Sequence, residues 1–82
     1  MKRVKVLLFA TLRDYVGAPS VEVELPPQAT IHDLEEHLIA AYPRLGIVRN
    51  SMMAAVNREF AADEQIIPDG AEVAFFPPVS GG

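Results

Sequence analysis

Alternating apolar and polar positions predict two β-strands in the first third of the chain. Residues 4–10 are rich in β-branched and large apolar side chains, and every second residue from Val4 to Ala10 faces the same side. Residues 21–25 alternate apolar and acidic side chains, so one face of this strand is buried and the other meets water. Residues 11–16 suit a short helical turn, and we therefore expect a hairpin with an elaborated connection.

A repeat of three to four residues predicts one main helix, over residues 31–42. Thr30 is a suitable N-cap with Asp33 three positions later, and Pro43 ends the helix. The apolar side chains of this segment fall on one stripe, formed by Ile31, Leu34, Leu38 and the pair Ala41 and Tyr42. The stripe indicates that the helix packs on a sheet through one face.

The second half of the chain predicts shorter elements. In order, they are a loop over 44–51, a strand over 52–56, a turn over 57–59, a short return from Phe60, a turn over 68–70 and a last strand over 72–76. The near-continuous apolar character of residues 6–10 and 73–76 is typical of central strands, so we expect the first and last strands to be adjacent and parallel. The predicted class is α+β, a mixed sheet with one main helix on one face.

A single helix leaves the other face of the sheet open, and side-chain parity predicts what that face carries. Lys5 shares its side of the first strand with apolar residues, and Glu72 does so in the last strand. Exposed apolar clusters on small proteins are typical of interaction sites. We therefore predict a partner-binding patch formed by Leu7, Phe9, Phe60 and Phe76. The alternative is that a loop covers these side chains.

Composition narrows the function. Seven Lys and Arg against eleven Asp and Glu give a net charge of −4, which argues against nucleic-acid binding. A chain of 82 residues has room for one core and none for an enclosed active site. Cysteine is absent, which excludes disulfides, thiolate metal ligands and a cysteine nucleophile.

The remaining titratable side chains predict little chemistry. His32 and His37 are five residues apart and point to different faces of the helix, so we expect solvated histidines and no metal site. The acidic pairs at 35–36 and 63–64 are likewise expected on a solvated surface. Chemistry carried by side chains is therefore not expected.

The basic start followed by apolar residues resembles a signal peptide only superficially. Lys5 interrupts the apolar run, Arg13 and Asp14 follow it, and no small-residue cleavage site is present. We expect a cytoplasmic protein that does not bind membranes.

The last six residues carry the most distinctive chemistry. Pro77 and Pro78 favour an extended backbone that leaves the sheet, and six residues reach at most about 20 Å. Residues 73–82 have no charged side chain, and the sequence ends in Val79, Ser80, Gly81 and Gly82. Such a tip can enter a narrow channel and present its terminal carboxylate to the active site of another enzyme.

Here the sequence resembles a known family. Residues 73–82, which read VAFFPPVSGG, are closely similar to the C-terminus of the small subunits of molybdopterin synthase, which are sulfur carriers. The resemblance extends to residues 6–10, 54–57 and 69–73, and Ser80 stands where Thr is common. It implies a ubiquitin-like β-grasp fold. A single sulfur-carrier domain would span the whole chain, with a flexible C-terminal tail over 77–82.

The resemblance also implies a role for the tail. An E1-like adenylating enzyme would use ATP to activate Gly82, and a sulfur donor would convert the acyl-adenylate to a thiocarboxylate. Gly81 would keep the tip narrow enough to enter the partner. The large synthase subunit would bind the apolar patch together with Pro77, Pro78, Val79 and Ser80. Sulfur would then pass to cyclic pyranopterin monophosphate, the step that makes molybdopterin in molybdenum cofactor biosynthesis.

In that arrangement the chain is a non-catalytic sulfur-donor subunit of a sulfurtransferase, with no bound cofactor. The synthase would be a heterotetramer of two small and two large subunits. Three other functions stay open: a thiamine-pathway sulfur carrier, a ubiquitin-like modifier joined through Gly82 to lysines, and a β-grasp binding module with an incidental tail. Covalent conjugates would favour the modifier, and activity that survives removal of the tail would favour the binding module.

Overall fold

The computed structural model describes residues 1–77 as one mixed sheet with three helical segments. The strands are β1 (Lys2–Leu8), β2 (Ser20–Leu25), β3 (Met53–Val56), β4 (Glu59–Phe60) and β5 (Glu72–Phe76). The helices are α1 (Thr11–Val16), α2 (Ile31–Ala41) and a 3₁₀ helix (Pro43–Val48). None of these helices has the length and hydropathy needed to cross a bilayer. The predicted α+β class is confirmed.

The first and last strands lie side by side in the middle of the sheet, as the sequence predicts. The strand order is β2-β1-β5-β3-β4, with β1 and β5 parallel and the other neighbours antiparallel. Leu7 lies beside Ala74, and Leu8 lies beside Phe75. Because side chains alternate along each strand, this register places Leu8 and Phe75 on one face and Leu7 and Ala74 on the other.

α2 begins with the cap that the sequence predicts. The Thr30 hydroxyl accepts a hydrogen bond from the Asp33 amide (3.2 Å), and the Asp33 carboxylate accepts one from the Thr30 amide (2.9 Å). The Thr30 amide, and then the Thr30 hydroxyl, hold the pKa of Asp33 below its usual range. This reciprocal capping box satisfies two backbone donors that the helix itself leaves free.

The core lies between α2 and one face of the sheet, which we call the covered face. Leu34 and Leu38 of α2 are buried in one cluster with Val73 and Phe75 of β5. The predicted stripe is thus confirmed at its centre, whereas Ala41 at its end is exposed. Leu12 of α1 and Leu45 of the 3₁₀ helix are buried in the same cluster, so the two shorter helices complete the cover of this face.

A buried lysine ties the start of β1 to two neighbouring loops. Lys2 is 5% exposed, and its Nζ donates hydrogen bonds to the backbone oxygens of Pro27 (3.0 Å), Ala29 (3.1 Å) and Ile67. Three acceptors match the three donors of an ammonium group, so the buried charge is fully hydrogen-bonded. The alternating pattern began at Val4 and did not reveal this contact.

Two segments differ from the prediction. β1 ends at Leu8, and Ala10 is exposed with a φ of 53°, so Ala10 does not join the buried side of the strand as expected. The backbone turns there because the amides of Leu12 and Arg13 begin α1 with bonds to Phe9 and Ala10. The predicted loop over 44–51 is largely the 3₁₀ helix, which buries Leu45 against the core.

Candidate functional site

The four apolar residues predicted for the open face come together there, and we call them the apolar patch. They are Leu7 of β1, Phe9 directly after β1, Phe60 of β4 and Phe76 at the end of β5. Strand pairing explains the meeting: Met53 of β3 pairs with Phe76, and Ala55 of the same strand pairs with Phe60. Residues from both ends of the chain therefore form one surface.

Phe76 is the centre of the patch. Its ring is stacked on that of Phe9, with centroids 5.1 Å apart and an angle of 13° between the planes. Phe60 approaches Phe76 edge-on at 6.4 Å. Both arrangements are favourable for aromatic pairs, which hold the rings in place before any partner arrives.

The apolar patch borders a shallow groove of about 420 Å³. Its other lining residues are Ala55, Ala74, Arg58 and Glu72. Ala55 is buried and Ala74 is half-buried, and their short side chains take up little space in the groove. Arg58 and Glu72 add one charge of each sign, so a partner would meet an apolar centre with a polar border.

The position of Arg58 depends on the turn between β3 and β4. Asn57 and Arg58 both have positive φ, 49° and 74°, as tight hairpin turns require. The Asn57 side-chain oxygen accepts a hydrogen bond from the Glu72 amide (3.0 Å), and the Asn57 amide donates one to the Glu72 carbonyl (2.8 Å). The sequence predicted the turn but not that it would bring Arg58 to the groove, because this requires the pairing of β3 with β5.

The apolar patch is open to solvent. Phe60 is 75% exposed and Phe9 is 43% exposed, while Leu7 and Phe76 are half-buried. Within residues 1–77, no loop covers these side chains, so the structure favours the open-face prediction over the alternative. An exposed aromatic cluster of this kind is typical of a protein interface.

The predicted tail starts at the apolar patch. Phe76 is the last residue of β5, and the half-buried Pro77 follows it. The other predicted tail residues lie outside the described part of the chain: Pro78, Val79, Ser80, Gly81 and Gly82. A partner that binds the apolar patch would therefore be positioned next to the base of the tail.

Comparison with known proteins identifies the family. The ThiS family matches residues 6–82. The molybdopterin synthase sulfur carrier subunit of Escherichia coli is 40% identical, and the match covers 96% of this chain and 99% of that protein. The subunit of the same name from Chlamydomonas reinhardtii is 39% identical, with 98% and 99% covered.

Solved structures give the same answer for the fold. The small archaeal modifier protein 1 of Haloferax volcanii superposes with a TM-score of 0.87 at 30% identity, covering 96% of this chain and 100% of that one. The ubiquitin-like β-grasp expectation is confirmed by this likeness together with the five-stranded mixed sheet and its helix. The chain belongs to the ThiS family, among the molybdopterin synthase sulfur carrier subunits.

Proposed function

We propose that this protein is the sulfur carrier of a molybdopterin synthase and that the C-terminal carboxylate of Gly82 carries the sulfur. The observation that supports this most directly is the continuity of the apolar patch with the tail: the central ring of the patch, Phe76, is followed at once by residues 77–82. Binding at the patch and delivery of the tail are then one event.

The chemistry follows from the composition of the tail. A free carboxylate is a poor electrophile, so an adenylating enzyme first joins Gly82 to AMP and releases pyrophosphate from ATP. Sulfide then attacks the carbonyl carbon, AMP leaves, and loss of the sulfide proton gives a thiocarboxylate. The chain has no cysteine, so no thiol of its own competes for the activated carbonyl carbon. ATP is used by the activating enzyme and is not a cofactor of the carrier.

Two partners share the carrier in this proposal. The E1-like adenylating enzyme loads the tail, and the large synthase subunit receives it, with two small and two large subunits in the complex. Both recognise the exposed rings of Phe9 and Phe60 and the half-buried ring of Phe76, which supply the apolar contact area that interface centres favour. The tail residues Pro78, Val79 and Ser80 enter the partner, and Gly81 and Gly82 fit where a side chain would not.

Deletion of Gly82 tests the proposal. We expect the deleted chain to fold and bind the large subunit as the full chain does, because an exposed terminus contributes little to stability. Conversion of cyclic pyranopterin monophosphate to molybdopterin should be abolished. Equal product from both chains would overturn the proposal.

Intact mass gives a matched measurement on the same two chains. After incubation with ATP, the activating enzyme and a sulfur source, the full chain should gain the mass expected when sulfur replaces one oxygen. The deleted chain should not. A full chain that is loaded but gives no molybdopterin would indicate a carrier for another pathway, such as thiamine synthesis.

A second candidate function is attachment to other proteins. It is favoured by the 30% identity to the small archaeal modifier protein 1 of Haloferax volcanii. The same activated Gly82 would then form an amide with a lysine amine and release AMP. Mass spectrometry of lysine-linked tryptic remnants, with the Gly82-deleted chain as the control, distinguishes this function from sulfur transfer.

A further inference from the structure

We propose that His32, Glu35 and Asp63 form a binding site for one divalent transition-metal ion of the Zn²⁺ type. The three side chains come from two places, the first two turns of α2 and the loop over residues 61–67. One ligand atom from each lies within 4.8 Å of the others. This site is separate from the proposed sulfur chemistry, because α2 lies on the covered face and the apolar patch lies on the other.

The fold places these side chains together before any ion binds. His32 and Glu35 are three residues apart on α2 and therefore share a helix face. The loop crosses the start of that helix, where the His32 amide donates to the Asp63 carbonyl (2.9 Å) and the Ile31 amide donates to the Gln65 carbonyl (3.0 Å). These two bonds fix the backbone of Asp63 beside the helix.

The burial of Glu35 without a partner is the observation that points to a cation. The residue is only 7% exposed, yet within residues 1–77 its carboxylate has no hydrogen-bond donor and no ion-pair partner. Within residues 1–77, no fully buried side-chain oxygen lacks a hydrogen-bond partner. The unpartnered Glu35 carboxylate is therefore still in contact with solvent. Burial, and then the nearby Asp63 carboxylate, raise the pKa of Glu35 to about 6. His32 and Arg49 offset this effect only in part, and a bound cation would add positive charge directly at the carboxylate.

The neighbouring charges leave the cluster available. Arg49 forms an ion pair with Glu36, so the Glu36 carboxylate already has a cationic partner. His32 Nε2 lies 3.9 Å from Glu36, a distance that allows a weak ion pair when the imidazole is protonated. The ion pair with Glu36 is therefore the alternative role for His32. It requires a protonated imidazole, whereas metal binding requires a neutral one.

The ligand set selects the class of metal. One imidazole nitrogen and two carboxylate oxygens suit Zn²⁺ and similar ions, whereas Mg²⁺ and Ca²⁺ prefer oxygen alone. Zinc bonds of about 2.0–2.2 Å place ligand atoms about 3.3 Å apart. Since the present separations reach 4.8 Å, the side chains must close by up to about 1.5 Å. Three protein ligands leave a fourth position for water. The ion would join the loop over 61–67 to α2.

Titration of the full, metal-free chain with ZnCl₂ tests the site. We expect one ion per chain in calorimetry, and a rise in Tm of roughly 5–10 °C at a tenfold excess of Zn²⁺ over Kd. His32→Gln, Glu35→Gln and Asp63→Asn should each weaken binding by at least about tenfold. His37→Gln is the matched control, because His37 lies on the same helix and is exposed, and its affinity should stay within twofold of the wild type.

Backbone amide NMR locates the ion independently. Addition of Zn²⁺ should shift resonances of residues 31–36 and 61–66 and leave those of β4 unchanged. The proposal is wrong if no binding is detected up to 1 mM Zn²⁺ (about the limit of weak binding), if Glu35→Gln binds as tightly as the wild type, or if His37→Gln loses as much affinity as His32→Gln. We expect Glu35→Gln to fold, since glutamine preserves the shape of Glu35 without its buried charge.

Discussion

The two faces of this sheet are built from the same strands, but one is buried against helices and the other is open to solvent. In β5, Phe75 is 0% exposed and packs under α2, whereas the next residue, Phe76, is half-buried and stacks on Phe9 in the apolar patch. Chemically identical side chains thus differ only by the side of the strand to which they point. The comparison teaches that burial against α2 supplies stability, while the equally aromatic open face is available for partners.

The largest expected effect comes from truncating the ring on the covered face. Phe75→Ala should lower the free energy of unfolding by about 3–5 kcal/mol, because it removes a fully buried ring and leaves a cavity. Phe76→Ala is the matched variant and should cost about 1–2 kcal/mol, the scale of the two aromatic pairs that it removes. Urea denaturation of both chains measures the difference. Equal losses would remove the distinction between the two faces.

The next largest effect is on binding, where Phe76 and not Phe75 is expected to matter. Phe76→Ala should weaken binding to the large synthase subunit by about 1–3 kcal/mol, as expected for an aromatic residue at the centre of an interface. Ile47→Ala is the control, since Ile47 is an exposed apolar residue on the 3₁₀ helix and outside the patch. Calorimetry with the large subunit compares them. Unchanged affinity in Phe76→Ala would contradict the role assigned to the apolar patch.

The smallest effect concerns a charge buried on α2. The raised pKa of Glu35 means that the folded state holds this proton more tightly than the unfolded state, so stability is lost as the pH rises from about 4.5 to about 6. The shift corresponds to at most about 2 kcal/mol, and contact of the carboxylate with solvent reduces this to about 1 kcal/mol.

Glu35→Gln, which cannot ionise, should therefore be more stable than the wild type by about 1 kcal/mol at pH 7 and equally stable at pH 4. Denaturation in the presence of a chelator measures this without interference from bound metal. A variant that is less stable than the wild type at pH 7 would show that the carboxylate has a donor in solution that stabilises its charged form.

Much of the fold could be predicted because its signals are local. The Thr30 and Asp33 cap, the apolar stripe of α2 and the alternation in β1 each depend on residues within a few positions of one another. The central parallel pair was also predictable, since residues 6–10 and 73–76 carry no polar side chain, as is typical of central strands. The apolar patch followed from the parity of those strands.

Other features depend on contacts between distant segments and left no local signal. Lys2 is buried only because the carbonyls of residues 27, 29 and 67 converge on its Nζ. Asp63 meets His32 and Glu35 only because the loop over 61–67 crosses the start of α2. The prediction that residues 35–36 are a solvated acidic pair was therefore wrong for Glu35, and the groove position of Arg58 was missed for the same reason.

The parallel contact between β1 and β5 has a consequence for how the protein is made. β1 occupies residues 2–8 and its central neighbour occupies residues 72–76, so the ribosome must release nearly all of the described chain before these strands can meet. Closing such a long loop makes folding depend on non-local contacts and slows it. Until then Phe75 has no core to enter and Phe76 has no aromatic partner. We therefore expect that the proposed partners cannot recognise an unfinished carrier, because the apolar patch is assembled only with the last strand.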